Sequence, residues 1–378
     1  MSQPPSSNTP SESHSHRHYV LLDWMRFLAA FLVVLCHARP EHWVAWSELN
    51  KDHEIISKLF FLLIRPGPEA VVIFFVLSGY FVGGKVMERF ANGTFKPEDY
   101  LRDRISRIFT PLLPSLLLTI ICVWIVNRGF TDGFGLELLG NIFQMQGILC
   151  ERLEGNAPLW SLSYEVWFYT FAGALATLCL RPHKKNVTWL ISGALILFSA
   201  WCLTMLDTVY FFCWIMGALA YVLPMPDFGK KGLIAGLVLA FIAASTSQAT
   251  GTYQGGLIAN SEPIHKAATL LLAASVSFLI PILANTGWRF SSSRIMLSGP
   301  YLAAFSYTLY LTHYPLLLVM NTLHAPFQAF TPVSVCLFFI KIGVCVAVAW
   351  LVYLPFERNT ARVRGFIHKH QSLPPASL

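Results

Sequence analysis

The chain has 378 residues, a formal net charge of +7, 55% hydrophobic residues and only 12% charged residues. An ordinary soluble domain carries about 25% charged residues, so this composition excludes that class. The eight cysteines show neither a disulfide nor a zinc-site spacing, and the positive charge flanks apolar runs instead of forming a nucleic-acid patch.

Runs of about 20 apolar residues, long enough to cross a hydrocarbon core of about 30 Å, recur along almost the whole chain. In chain order they predict ten transmembrane helices. The predicted spans are residues 19–38, 67–84, 108–127, 158–180, 188–206, 208–224, 232–248, 266–284, 299–320 and 333–354. The predicted fold class is therefore all-α, a polytopic membrane helix bundle without a large soluble domain.

The Lys and Arg residues of the connections predict the orientation. With the N-terminus in the cytoplasm, the cytoplasmic segments hold 18 of these residues and the external segments hold 7. Cytoplasmic loops carry such an excess, so we predict that both termini lie in the cytoplasm and that the protein resides in the cytoplasmic (inner) membrane. The longest external connections, residues 39–66 and 128–157, are long enough to cover a site that opens outward.

The predicted domains are a disordered tail at 1–18, a transmembrane domain at 19–357 and a cytoplasmic tail at 358–378. The first segment is rich in Ser, Pro and His, and no small-residue cleavage site follows the first apolar run, so we predict no signal peptide. Its alternating residues His14, His16 and His18 are better explained by a polar tail than by a metal site, and we expect no bound metal.

Ionisable residues inside the spans are candidates for function, because charge is costly in a bilayer. In the first span, Arg26 and His37 are eleven residues apart, which is about 16 Å along a helix and nearly the same face. Asp23, one turn before Arg26, can pair with it. The alternative is that Arg26 snorkels to the membrane surface and His37 is an ordinary interfacial residue.

Small and basic residues mark the next two spans. Ser78 and Gly79 allow the close approach of a helix or a ligand, and helix packing is the commoner reason for such residues. Arg104 and Arg107 share a helix face, where two guanidinium groups can bind phosphates. On this feature alone, charge that only sets the topology explains the two arginines slightly better.

The fourth span places Glu165 about seven residues from its external end, where a carboxylate must pair or become protonated. In the ninth span, Tyr310 and His313 lie one turn apart, and a hydrogen-bonded pair without a chemical role explains them equally well. The predicted depths put His37, Glu165 and His313 in the external half. A histidine near a carboxylate can act as a general base, and arginines on the cytoplasmic side suit an anionic cytosolic donor.

The order and spacing of these segments resemble the acyltransferase-3 family of membrane acyltransferases, of the polysaccharide O-acetyltransferase type. The resemblance covers nearly the whole chain. Each motif is weak alone, but their common order is specific. The motifs are LDWMRFLAAFLVVLCH, FFVLSGYF, RISRI followed by Pro111, PLWSLSYEVWFY, SYTLYLTHYPLL and the terminal PFER.

The resemblance implies transfer of an acyl group, commonly acetyl from acetyl-CoA, to a hydroxyl group of a cell-envelope or exopolysaccharide glycan. It implies that His37 is the catalytic base, with Glu165 as its partner or as a second acid/base group. The donor-binding residues that it implies are Arg26, Ser78, Gly79, Arg104 and Arg107. The supporting residues that it implies are Asp23, Trp160, Ser161, Ser163, Tyr310 and His313, with Glu357 and Arg358 closing the cytoplasmic end.

Two departures limit the transfer of roles. Family members often have Glu-Glu where this chain has Tyr164-Glu165, so the role of a second carboxylate does not carry over. Many members also append an extracytoplasmic esterase-like domain, whereas this chain stops about twenty residues after the last predicted span. We therefore expect that any such step needs a partner or is absent.

The predicted mechanism has His37 deprotonate an acceptor hydroxyl, which attacks the thioester carbonyl of acyl-CoA. An acyl-enzyme on Cys36 or a serine is a second possibility, although Cys36 and His37 point about 100° apart on a helix. A transporter or flippase of a lipid-linked glycan is the rival from another class. The third functional hypothesis is a non-catalytic membrane subunit of a glycan-assembly complex.

Overall fold

The computed structural model describes residues 19–50, 54–180, 186–226, 228–251, 261–285 and 298–371, so His14, His16 and His18 lie outside the described residues. Within these ranges the chain is helical, with isolated β-bridges and no strand, which confirms the all-α prediction. The helices of the first half are α1 (Val20–Ala38), α2 (Glu54–Ile64), α3 (Gly67–Ser78), α4 (Gly84–Ala91), α5 (Pro97–Asn127), α6 (Phe134–Ile142) and α7 (Trp160–Cys179). The helices of the second half are α8 (Asn186–Met205), α9 (Val209–Val222), α10 (Gly229–Thr250), α11 (Glu262–Asn285), α12 (Gly299–Ala304), α13 (Ser306–Asn321), α14 (Pro332–Tyr353) and α15 (Thr360–Gln371).

Helix occupies every predicted span. In the described part of the chain, seven helical stretches are long and apolar enough to cross a membrane. Three further helices fall short of that standard. Helix α13 has 16 residues, α9 is a shorter apolar helix, and the Ser, Tyr and Glu residues of α7 lower its hydropathy. The count of ten spans and the cytoplasmic location of the termini stay predictions.

Two short helices occupy the connections that we predicted to be external. Helices α2 and α6 expose large apolar side chains, among them Ile55, Leu63 and Leu136, each more than 70% accessible. Exposed apolar side chains of this kind are typical of helices that lie on a lipid surface. These helices were not predicted, because their apolar runs are too short to span a bilayer.

A π-helical segment, Gly79–Gly83, joins α3 to α4 and packs closely on α9. A Cβ atom added at Gly79 would overlap the backbone carbonyl of Trp214, and one added at Gly217 would overlap that of Val76. Glycine at both positions therefore allows the two backbones to touch. This packing holds the Ser78 side chain, which precedes the π-helical segment, in a defined place in the bundle.

Helices α1, α3, α4, α5, α7 and α13 surround the functional residues. Helix α1 packs against α3 and α13, and α13 also packs against α5. The end of the bundle at which α1 begins, near Arg26, Arg104 and Arg107, is named the arginine end. The opposite end, at which α1 finishes with His37, is named the histidine end.

Candidate active site

A cavity of about 500 Å³ lies among α1, α3, α4, α5, α7 and α13. Its charged lining comprises five basic and two acidic residues. These residues are Arg26, Lys85, Arg89, Arg104, Arg107, Asp103 and Glu165. The excess of positive charge in a partly closed space attracts an anion. The structure therefore brings together the three arginines and the carboxylate that the sequence marked as candidates.

Arg104 has a donor that no described residue satisfies. Its guanidinium group pairs with Asp103 and lies 5.3 Å from the centroid of the Tyr169 ring. Its Nε atom is buried and has no hydrogen-bond partner among the described residues. Buried donors are nearly always satisfied, so this N–H group is an exception among the polar groups of the residues that line the cavity.

Arg107 forms an ion pair with Glu357, at 3.3 Å. The other oxygen of Glu357 accepts hydrogen bonds from the Thr308 hydroxyl, at 2.6 Å, and from the Thr308 backbone N–H, at 3.2 Å. Glu357 is almost fully buried, so these contacts offset part of the cost of burying its charge. The pair ties α5 to α13 and to the segment after α14.

Arg26 lies on the α1 face of the cavity, with its guanidinium carbon 5.2 Å from the centroid of the Phe81 ring. A cation over an aromatic face is attracted by the negative face of the ring. Asp23, one turn earlier on α1, is not among the described residues that line the cavity.

Glu165 is part of a hydrogen-bonded network in the middle of the cavity. Its carboxylate accepts a hydrogen bond from the Tyr169 hydroxyl and one from Ser78 Oγ, at 3.3 Å. Ser78 Oγ also lies 2.9 Å from the Tyr169 hydroxyl and accepts from Trp214 Nε1, at 3.2 Å. The network fixes the carboxylate and explains why a polar Ser78 occupies an apolar helix.

Ser161 and Tyr310 line the part of the cavity nearest the histidine end. Their oxygens lie 2.7 Å apart, and the Tyr310 hydroxyl also donates to the carbonyl of Pro158, at 3.0 Å. The same segment places the Trp160 ring 5.5 Å from the Tyr164 ring. Ser163 is fully buried, and its hydroxyl has no hydrogen-bond partner in the described part of the structure.

His37 pairs with His313 at the histidine end. Nδ1 of His37 lies 2.9 Å from Nε2 of His313, and the edge of the Tyr314 ring packs against His37 at 5.4 Å between centroids. Neither histidine is among the described residues that line the cavity. The Tyr310 ring connects the two regions, because it lines the cavity and its centroid is 6.0 Å from that of His313.

The hydrogen bonds pair two predicted residues differently from the prediction. His37 bonds to His313, and Glu165 bonds to Ser78 and Tyr169. Direct partnership of His37 with Glu165 stays a prediction. So does donor binding by Gly79, whose position is explained by its packing on α9.

Cys36 faces away from the cavity. Its thiol is buried and donates to the carbonyl of Arg65, at 3.2 Å. A Cβ atom added at Gly67 would overlap this thiol. The face of α1 that carries Cys36 therefore packs on the start of α3, whereas Arg26 faces the cavity.

Several residues that line the cavity were not predicted from the sequence. Tyr169 lies four residues after Glu165, and this spacing places both on one helix face. The hydroxyl of Tyr307 is buried and has no hydrogen-bond partner among the described residues, and Tyr307 belongs to the motif that contains Tyr310 and His313. Lys85 also lines the cavity, but it was counted only as a charge that sets the topology.

The apolar helices and the cation-lined cavity define an integral membrane protein with an internal cavity. A family model described as an acyltransferase domain, that of acyltransferase-3, matches residues 19–354, and the chain therefore belongs to this family of membrane acyltransferases. Comparisons with curated proteins and with solved structures found no match. In the described part of the chain, no group of three or more His, Cys, Asp or Glu side chains is arranged to hold a metal ion.

Proposed function

We propose that the protein transfers an acyl group, acetyl in the first instance, from cytosolic acyl-CoA to a hydroxyl group of a cell-envelope or exopolysaccharide glycan. The proposal places the arginine end of the bundle at the cytosol and the histidine end at the opposite face of the inner membrane. The family membership supports acyl transfer. The donor, the acceptor and the direction of transfer across the membrane are proposed in addition.

One observation carries this proposal: the cation-lined cavity leads from the arginine end to Tyr310, which adjoins the His37–His313 pair. Arg104 and Tyr307, which line this cavity, each carry a buried polar atom without a hydrogen-bond partner among the described residues. Acyl-CoA has phosphates at one end and a thioester at the end of a long arm, and this polarity matches basic residues at one end and a base at the other. Arg104 and Arg107 would hold phosphates.

In the proposed reaction, His37 removes the proton of the acceptor hydroxyl while its oxygen attacks the thioester carbonyl. The tetrahedral intermediate then breaks its C–S bond, and the CoA thiolate leaves with the proton that His37 had taken. The products are an ester and free CoA. Glu165 would act from the cavity as the acid/base group or as the group that positions the donor.

Direct transfer is favoured over an acyl-enzyme on Cys36. The thiol of Cys36 is buried against Arg65 and Gly67, whereas a nucleophile must reach the thioester. Direct transfer requires both substrates on the enzyme together, so initial-rate plots should show a ternary complex and not ping-pong kinetics.

The test is acyl transfer from radiolabelled acetyl-CoA to glycan, with purified wild type beside His37→Ala. His324→Ala is the matched control, because His324 lies in the connection between α13 and α14. We expect label on the glycan with wild type and with the control, and none with His37→Ala. An active His37→Ala enzyme would remove the general base from the mechanism. No transfer by folded wild type over a range of donors and acceptors would favour transport of a lipid-linked glycan instead.

A further inference from the structure

His313 has a defined donor and acceptor arrangement, because one ring nitrogen faces a peptide carbonyl. Its Nδ1 lies 3.1 Å from the carbonyl oxygen of Leu309, and a carbonyl oxygen can only accept. Nδ1 of His313 therefore carries the hydrogen. The side chain is fully buried, which favours the neutral ring over the charged one. The lone pair of His313 then resides on Nε2.

This lone pair determines where the hydrogen sits on His37. Nδ1 of His37 lies 2.9 Å from Nε2 of His313, and it must donate because the partner atom is an acceptor. The ring planes differ by 4° and the centroids lie 5.3 Å apart, so the rings meet edge to edge in one plane and the N–H group points at its acceptor. His37 thus holds its hydrogen on Nδ1 and its lone pair on Nε2.

We infer that His313 is a positioning residue that holds His37 in the tautomer with a basic Nε2. The inference rests on the proposed role of His37 as the general base, and it names the atom that removes the acceptor's proton. Once Nε2 of His37 takes that proton, the hydrogen bond from Nδ1 to His313 becomes charge-assisted and stronger. The proton then leaves from Nε2 with the CoA thiolate, and His313 keeps its own hydrogen throughout.

The environment of the pair suits a positioning role. His313 is held by its own helix through Leu309, and its ring is enclosed, so it cannot turn with the substrate. His37 is half-buried and carries the nitrogen that exchanges protons. A fixed second group that orients a catalytic histidine and sets its tautomer is a recurring device. Here an imidazole backed by a peptide carbonyl takes the place of the usual carboxylate.

Two substitutions separate positioning from packing. In His313→Gln, the side-chain oxygen can accept from Nδ1 of His37, whereas the side chain of His313→Leu cannot. We expect His313→Leu to lower kcat by about 100-fold or more, because a correctly placed general base contributes on the order of 10²–10⁴-fold. The KM for acetyl-CoA should change little, since the basic residues of the cavity are untouched. His313→Gln should recover at least about tenfold of the lost kcat.

Nitrogen NMR of isotope-labelled histidine in detergent micelles reads the tautomer without turnover. The His37 signals are identified by their absence in His37→Ala. We expect the Nδ1–H form of His37 in wild type and in His313→Gln, and a mixture of both tautomers in His313→Leu. His42→Leu is the control for loss of a buried, hydrogen-bonded histidine, and it should leave the tautomer unchanged.

The Nε2–H form of His37 in wild type would overturn the inference, and this test needs no variant of His313. An unchanged tautomer in folded His313→Leu, or equal kcat of the Leu and Gln variants, would overturn it as well. Failure of the proposed function would give a different experimental result. Wild type would then transfer no acyl group, while the NMR result would still decide whether His313 places the hydrogen on His37.

Discussion

Arg107 of α5 and Glu357, which follows α14, form an ion pair of 3.3 Å in which the glutamate is buried and the arginine is 41% exposed. Glu357 also accepts two hydrogen bonds from Thr308. Removal of the carboxylate therefore leaves Arg107 without its ion-pair partner, and it leaves the hydroxyl and the backbone N–H of Thr308 without this acceptor. The pair joins three parts of the chain at the arginine end.

Glu357→Ala should lower the free energy of unfolding by about 1–3 kcal/mol, because a buried hydrogen-bond donor loses its acceptor. Glu357→Gln should cost less than half of this, since its amide oxygen still accepts from Thr308 and solvent already weakens the attraction to Arg107. Thermal unfolding in detergent measures both. Glu98→Gln, which breaks an exposed pair on the same helix, should have no measurable effect. Equal losses in the Ala and Gln variants would show that charge, and not hydrogen bonding, dominates.

Arg104→Ala should raise the KM for acetyl-CoA by about 10- to 100-fold, because hydrogen bonds to charged groups contribute about 1.5–3 kcal/mol. The kcat value should fall much less. The measurement is initial rates over a range of acetyl-CoA concentrations. Arg128→Asn removes a positive charge from the other end of α5 and keeps a residue that tolerates the left-handed backbone at Arg128. An equal rise of KM in this control would point to a general effect of charge.

Glu165→Gln should keep the fold and lower kcat by about 10²–10⁴-fold, the usual contribution of an acid/base group. The amide oxygen can still accept from Tyr169, so the network of Ser78 and Tyr169 should persist without the negative charge. Rates and thermal unfolding are measured together. Thr170→Val, which removes a hydroxyl that donates to the carbonyl of Val166 within α7, is the control. A Gln variant with wild-type kcat would leave Glu165 as a structural residue.

Gly79→Ala should destabilise the protein by about 1–3 kcal/mol, because the new methyl group meets backbone and not a flexible side chain. Gly193→Ala is the matched control in α8, where an added Cβ meets no atom within 4 Å. It should stabilise by about 0.5–1 kcal/mol, since glycine is less favourable than alanine within a helix. Thermal unfolding distinguishes the two, and a tolerated Gly79→Ala would contradict the close packing on α9.

Acid should destabilise the connection after α1 through His42. Burial, with a smaller effect of Lys341, lowers the pKa of His42 to about 4, while its Nε2 donates to the carbonyl of Ser334, at 2.8 Å. The unfolded chain binds a proton near the ordinary value of 6.5, and the folded protein does so only near 4. Between these values the unfolded state holds more protons, so stability falls as the pH falls.

The contribution of His42 to the slope of the unfolding free energy against pH is at most about 1.4 kcal/mol per pH unit. It is measured as the difference in unfolding free energy between wild type and His42→Gln from pH 7 to pH 4. The variant should be the less sensitive of the two to acid. Identical slopes would show that His42 is solvated when the protein is folded.

The helices could be predicted because the bilayer imposes a length and a composition on each of them. Helix lies at all the predicted spans, and the cavity contains Arg26, Arg104, Arg107 and Glu165, which stood out as charges in apolar runs. A charged residue in an apolar run has few explanations, so each such residue was informative about the position of the cavity. Helices α2 and α6 were missed because a short apolar run does not distinguish a helix from a connection.

The hydrogen-bond and packing partners of the site residues could not be predicted. They depend on how the helices pack and not on spacing along the chain. Glu165 was expected near His37, yet its hydrogen bonds go to Ser78 and Tyr169. The sequence allowed either helix packing or ligand binding as the role of Gly79. The close contact of Gly79 with α9 became known only from the structure. Tyr307 looks like an ordinary aromatic residue in the sequence, and its buried hydroxyl becomes informative only with its surroundings.

The two histidines of the pair are 276 residues apart, one on the first long helix and one on α13. During synthesis, the helix that carries His37 enters the membrane long before its partner exists. A nascent or truncated chain that ends before α13 holds an unpositioned imidazole and lacks Tyr307 and Tyr310. The proposed active site is thus complete only when almost the whole polypeptide has been inserted, because the partner of the proposed general base and part of the cavity lining come from α13.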